Sequence, residues 1–209
     1  MGLRESKKLR MRQEIADTAM RLFVARGFDH VTVAEVAAAS GVSEKTVFNY
    51  FPTKEDLFFD EVPARQVAAV EAIRGRRAGE SVVATLRRLQ AAECPRLCSP
   101  GFAAFAGVIE ESPALQAKEL EVMASFTEVL AGAIRTELGA HEVDAKIAAN
   151  VLVSVHWQLF RNARAQALRG RHGPSAVRSL RRDLDRAYRL LEHGLGALEP
   201  ECAEEALGA

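Results

Sequence analysis

The stretch that most constrains this chain runs from Val31 to Phe58, VTVAEVAAASGVSEKTVFNYFPTKEDLF. Thr32 can cap a helix, and Glu35 three residues on completes a capping box. Val33, Val36 and Ala37 then share one apolar face. Ser40-Gly41-Val42 reads as a tight turn, in which Gly41 takes the left-handed conformation that ends a helix at low cost. Ser43 caps a second short helix, and Pro52 forbids its continuation. Thr53 with Asp56 repeats the capping box and opens another helix. Two short helices about a glycine turn form a helix-turn-helix, the arrangement whose second helix enters a DNA major groove.

The flanking residues extend the pattern. Leu9, Ile15, Ala16, Ala19, Leu22 and Phe23 recur at helical spacing from Arg4 to Arg26, and Gly27 stops that helix. Phe28 can close a small core with Phe23, Val33 and Val36. The run GVSEKTVFNYFPTKEDL, preceded by A-x-x-LF-x-x-x-GF-x-x-x-TV-x-x-VA, resembles the DNA-binding domain of the TetR family of bacterial transcriptional regulators. That resemblance covers about Ile15 to Leu57, roughly a fifth of the chain. It implies an all-α protein of about nine helices. A helix-turn-helix domain over residues 9–69 (motif 32–51) precedes a ligand-binding and dimerisation domain over 76–199.

The remaining sequence is read as helical on its own evidence. No run of Val, Ile or Thr alternates with polar residues as a strand requires. A helix from Thr53 to about Ile73 contains Pro63, which predicts a kink or break near Asp60–Pro63. Further helices are expected over Glu80–Glu93, Phe102–Glu110, Pro113–Leu138, His141–Arg169 and from Pro174 or Ser175 to about Leu198. Pro95 and Ser99-Pro100-Gly101 are expected to bracket an irregular link, and the tail Glu201–Ala209 to fray.

Composition narrows the function. Apolar residues make 48% of the chain and charged residues 27%, as in a folded soluble protein. No apolar run is long enough to span a bilayer, and the basic N-terminus continues into an amphipathic helix, unlike a signal peptide. A cytoplasmic location is expected. The net charge is zero, so a DNA-binding role needs a local basic surface. Arg4, Lys7, Lys8, Arg10 and Arg12 supply part of one and can add phosphate or minor-groove contacts. Cys94, Cys98 and Cys202 lack the companions of a metal site and read as free thiols in a reducing compartment. No GxSxG, phosphate loop or HExxH is present, so neither catalytic residues nor a cofactor is expected.

Ser43, Lys45, Thr46, Phe48, Asn49 and Tyr50 fall on the outer side of the second motif helix, with Val47 turned inward. Lys45 can reach guanine acceptors or phosphate, and Asn49 adenine; Thr46 and Phe48 suit a thymine methyl or sugar edge. Tyr50 and Lys54, with Thr32 at the preceding cap, are placed for phosphate. The resemblance implies DNA contact at Thr32, Lys45, Thr46, Tyr50 and Lys54. Many relatives carry Tyr and His where this chain has Phe48 and Asn49, so a base preference does not carry over.

In the larger domain, Phe102, Phe105, Ile109, Met123, Phe126, Leu130, Trp157 and Phe160 can line an apolar pocket. His156 and Trp157 bring polar N–H groups to it, and Arg161 and Asn162 can orient a ligand head group. A drug, a fatty acyl thioester or a pathway intermediate fits such a pocket. The last two helices form an amphipathic hairpin. It either covers its own core or, as the resemblance implies, meets a second copy in a two-fold four-helix bundle through Val151, Val155, Leu180, Leu184 and Leu191. With these readings, the resemblance implies a ligand-responsive repressor that binds a palindromic operator as a homodimer. The competing reading is a helical small-molecule carrier that does not bind DNA.

Overall fold

The computed structural model describes residues 3–193, and these form ten helices and no strand. They are α1 (Leu3–Arg26), α2 (Val33–Ala39), α3 (Glu44–Tyr50), α4 (Lys54–Phe58), α5 (Val62–Arg74), α6 (Val82–Leu97), α7 (Pro100–Glu111), α8 (Pro113–Leu138), α9 (Glu142–Leu168) and α10 (Gly173–His193). The side chain of Arg4, the apolar positions Leu195 and Leu198, Cys202 and the tail lie outside what is described.

The tenth helix arises at Pro63. The expected break falls at residues 59–61, so one long helix becomes α4 and α5. Pro63 occupies the first turn of α5, where its missing N–H costs nothing. Pro95 departs from expectation. It lies in the last turn of α6, which continues to Leu97. A proline so near a helix end removes one hydrogen bond without propagating a kink. Gly139, at φ 64°, ends α8 in the left-handed conformation, and three residues later α9 begins under the cap of His141.

Two apolar cores form. The first gathers Ile15, Ala19 and Phe23 of α1, Val36 and Ala37 of α2, Val47 of α3, and Phe28, Phe51, Leu57 and Phe58. It is not confined to the N-terminal segment, because Val108 and Ile109 of α7 and Leu115 of α8 complete it. The second is built from α5 to α10, with Leu130, Ile134, Leu152, Leu159, Leu180, Leu184 and Tyr188 at its centre. Phe105 and Phe160 pack against both. Cys94 and Cys98 are free thiols buried in the second core, and burial pushes both upward in pKa, away from reactive thiolate.

Phe58 joins the two cores. Its ring stacks on Phe105 at 4.4 Å and 20°, and it stands 6.3 Å from both Phe23 and Phe28. Replacing it empties a fully enclosed volume at the seam. Phe58→Ala is expected to lower unfolding free energy by about 3–5 kcal/mol, read as a shift in the urea midpoint followed by far-ultraviolet circular dichroism. A change below about 1 kcal/mol would show that the seam repacks.

Candidate nucleic-acid interface and ligand cavity

The motif is assembled by its caps. Thr32 N–H donates to Glu35 Oε2 at 2.8 Å, and Glu35 N–H donates to Thr32 Oγ1 at 3.2 Å. Arg26 pairs with the same carboxylate at 2.7 Å. The Thr32 amide, then Arg26, hold Glu35 down at about 2. Thr32 also donates its hydroxyl to Glu35, at 3.0 Å, so both its polar groups are committed within the cap. Gly41 turns the chain at φ 68°. Ser43 Oγ accepts from Thr46 N–H at 3.1 Å and starts α3. Thr53 and Asp56 form the second capping box.

Val47 and Phe51 are fully buried and fix the inner side of α3. Its outer side carries Lys45, Phe48 and Asn49, all exposed, with Thr46 and Tyr50 half-buried at the edges. Phe48 leaves 47% of its surface in solvent. Lys54 points differently from the extended posture expected for a phosphate ligand. Its Nζ lies 4.1 Å over the Phe28 ring, and partial burial lowers its pKa. Arg12 also turns inward, 4.6 Å over the Phe51 ring, and donates to the Asp60 carbonyl at 3.1 Å. Lys7, Lys8 and Arg10 remain exposed on the first turns of α1.

A cavity of about 400 Å³ lies between this unit and the rest of the protein, within the size range of small-molecule sites. Phe102, Phe105, Met123, Phe126, His156, Trp157 and Phe160 line it, as the sequence suggests. Other expected lining residues face elsewhere. Ile109 and Leu130 are buried in the two cores, and Arg161 is exposed off the cavity. Asn162 instead hydrogen-bonds Asp183 at 3.3 Å.

The unexpected wall comes from α1 and the α4–α5 junction. Gln13, Asp17, Met20 and Val24 contribute one side, and Phe58 to Val62 with Arg65 another. Glu93 and Arg96 of α6 complete the rim, where Arg65 pairs with Glu61 and Glu93. Gln13, Asp17, Met20 and Val24 share one face of α1, but that this face meets the cavity is decided only by packing. Trp157 stacks on Phe160 at 5.6 Å, and His156 meets the Phe126 ring edge-on at 5.7 Å.

Residues 15–60 match the sequence profile of the bacterial regulatory proteins of the tetR family. Over these residues the chain is similar to the TetR family of regulators. It is 31% identical over 127 residues to the HTH-type transcriptional regulator TcmR of Streptomyces glaucescens. That match covers 57% of this chain and 56% of TcmR, so it spans little more than half of either protein. The fold is similar to that of a TetR-family repressor, FadR of Thermus thermophilus in complex with lauroyl-CoA. The TM-score is 0.53 at 23% identity, over 95% of this chain and all of that one. It is also similar to NalD, the secondary repressor of the MexAB-OprM multidrug efflux pump in Pseudomonas aeruginosa. There the TM-score is 0.58 at 18% identity, over 86% of this chain and 96% of that one.

The expected dimer residues divide by burial. Leu180 and Leu184 are fully buried against their own second core, so they have no surface to offer a partner. Val155 and Leu191 are half-buried against the same core, and Val151 is exposed. The seam read along α10 is thus internal, since α6 and α9 cover it. The open apolar stripe is on α9, where Val143, Ile147 and Val151 recur every fourth residue with 56%, 58% and 41% of their surface exposed.

Two cavity groups titrate oppositely. Burial, then Arg65, pulls His156 from 6.5 down to about 4. Burial, then Glu61, pushes Asp60 from 3.8 up to about 6. Between pH 6.5 and 4 the unfolded chain protonates His156 while the folded chain does not, so this group costs stability as pH falls. Asp60 has the reverse sign, its contribution being lost as pH rises through about 6. Thermal melts should therefore show the stability of His156→Gln relative to wild type rising as pH drops from 7 to 4. That of Asp60→Asn should rise over the same interval as pH increases. Parallel melting curves for either pair would remove the assignment.

Proposed function

We propose that the chain is a transcriptional regulator that binds double-stranded DNA through α3 and responds to a small molecule in the cavity. The observation that carries the reading is the outer side of α3. Lys45, Phe48 and Asn49 stand exposed on a helix whose other side is locked by Val47 and Phe51. A rigid short helix presenting a cation, an amide and an apolar ring is suited to base edges and phosphate. Ser43, Thr46 and Tyr50 flank that surface. Thr32 and Lys54 border it, each needing to leave an internal partner to reach phosphate.

Repression as a homodimer on a palindromic site is the mode we favour. TcmR is a transcriptional regulator, and FadR and NalD are repressors by their descriptions. A single short helix reads few bases, so two copies one helical turn apart supply the specificity. The α9 stripe is the surface we assign to the partner copy, with Val155 and Leu191 at its margins. The DNA role implies work in the cytoplasm, with no chemistry of its own. A ligand entering the cavity touches α1 and the α4–α5 junction as well as α7 to α9. It can therefore shift the population toward a spacing of the two α3 helices that DNA does not accept. The break at residues 59–61, ahead of Pro63, is where we place the motion.

Fluorescence anisotropy against the chain's own upstream region tests the DNA role. Lys45→Ala and Tyr50→Ala should each weaken binding; loss of a Lys45–phosphate contact should flatten the log–log salt slope by about 1, while loss of the uncharged Tyr50 contact should leave the slope unchanged. Isotherms identical to wild type at every salt concentration would refute the assignment. Separately, sedimentation should show Ile147→Asp with Val151→Asp as a folded monomer under conditions where wild type is a dimer. A dimeric double variant would move the interface away from α9.

A further inference from the structure

The charge around the cavity specifies what kind of molecule fits it. This inference rests on the cavity being the ligand site proposed above. Seven aromatic side chains line the space, together with four carboxylates and two guanidiniums. Both guanidiniums are spent locally. Arg65 pairs with Glu61 and Glu93, while Arg96 holds Glu93 at 3.0 Å and reaches Glu61 at 4.0 Å. The four groups form a closed, neutral network on the rim.

Two carboxylates are left over. Asp17 is exposed and accepts from Gln13 at 2.9 Å. Asp60 is enclosed, its side chain retaining 12% of its surface. The nearest cation to it is Arg12, 3.9 Å away, whose shorter hydrogen bond goes to the Asp60 carbonyl instead. An enclosed carboxylate whose one ion pair is this long contact is only partly compensated, and a positive charge arriving in the cavity relieves the remaining cost. Aromatic faces add attraction for the same sign. His156, half-buried and without a hydrogen-bond partner among the described residues, lines the same space. In its neutral form it can accept an N–H.

We propose that the cavity takes a lipophilic weak base, a planar aromatic body bearing one cationic nitrogen held toward Asp60, and disfavours anions such as acyl thioesters with phosphate-bearing head groups. An anionic head group would have to break the Arg65–Glu93 network to find a partner, and would meet Asp60 as a like charge. Burial leaves Asp60 at about 6, with Glu61 raising it and Arg12 opposing, so the carboxylate predominates at pH 7.5.

The test uses one ring system in three charge states. 9-Aminoacridine (cationic), acridine (neutral) and acridine-9-carboxylate (anionic) are titrated into the full chain at pH 7.5, with lauroyl-CoA as a fourth ligand. Binding is read by calorimetry and by quenching of Trp157, the chain's single tryptophan. The cation should bind at least ~10-fold tighter than acridine, with acridine-9-carboxylate weaker than both. Asp60→Asn should bring the cation down to the affinity of acridine while leaving acridine unchanged. Equal affinity across the three acridines, or tighter binding of lauroyl-CoA than of the cation, would overturn the ligand class and leave the cavity as a binding site. Absence of heat and quenching with all four would overturn both.

Discussion

The stack of Phe58 on Phe105, at 4.4 Å between ring centres, is the contact on which the rest of this architecture depends. Phe58 is the last residue of α4 and belongs to the core that holds α3 in place. Phe105 lies mid-way along α7 and faces the cavity. From it the rings continue to Phe102, Phe160 and Trp157. A protein interior is close-packed, so a ring displaced at one end of such a series cannot move without its neighbours. The cavity and the outward side of α3 are thus two ends of one packed body.

Polar groups brace the same seam from α8. Ser112 donates to Asp29 at 2.8 Å, tying the start of α8 to the turn after α1. Nearly two turns on, Lys118 pairs with Asp56 in the capping box of α4 at 3.2 Å. Next to it, Glu119 is buried and takes both its short hydrogen bonds, at 2.9 Å, from Arg164 of α9. Burial raises the Glu119 pKa and Arg164 opposes that rise. In such an enclosed pair the Coulombic gain largely offsets desolvation, and its geometric effect is to set α8 against α9. Successive turns of one helix therefore hold both halves of the molecule.

Legibility in the sequence followed the range of the interaction. The caps at Thr32, Ser43 and Thr53, the turn at Gly41 and the stop at Gly139 were all readable, because each involves residues within a few positions. The aromatic side of the cavity was readable from helical spacing on α7, α8 and α9. Ile109 and Leu130 fit that spacing equally well and belong to the cores. Leu180 and Leu184 illustrate the same ambiguity. An apolar stripe declares that it will be covered, but not whether its own chain or a second copy covers it. Lys54 was legible as a helix-start cation; that Phe28 would lie beneath it was not.

By itself the sequence determined an all-helical chain, a helix-turn-helix with Val47 inward and Lys45, Phe48 and Asn49 outward, and a break ahead of Pro63. These follow from backbone restriction, capping and periodicity, which act over one or two helical turns. Only the tertiary structure decided that α1 and the α4–α5 junction wall the cavity, that Asp60 is enclosed there with only a long contact to Arg12, and that the open apolar stripe lies on α9. Those outcomes depend on contacts between residues distant in the chain. Which group ends beside which is settled when the helices pack, and no local preference encodes it.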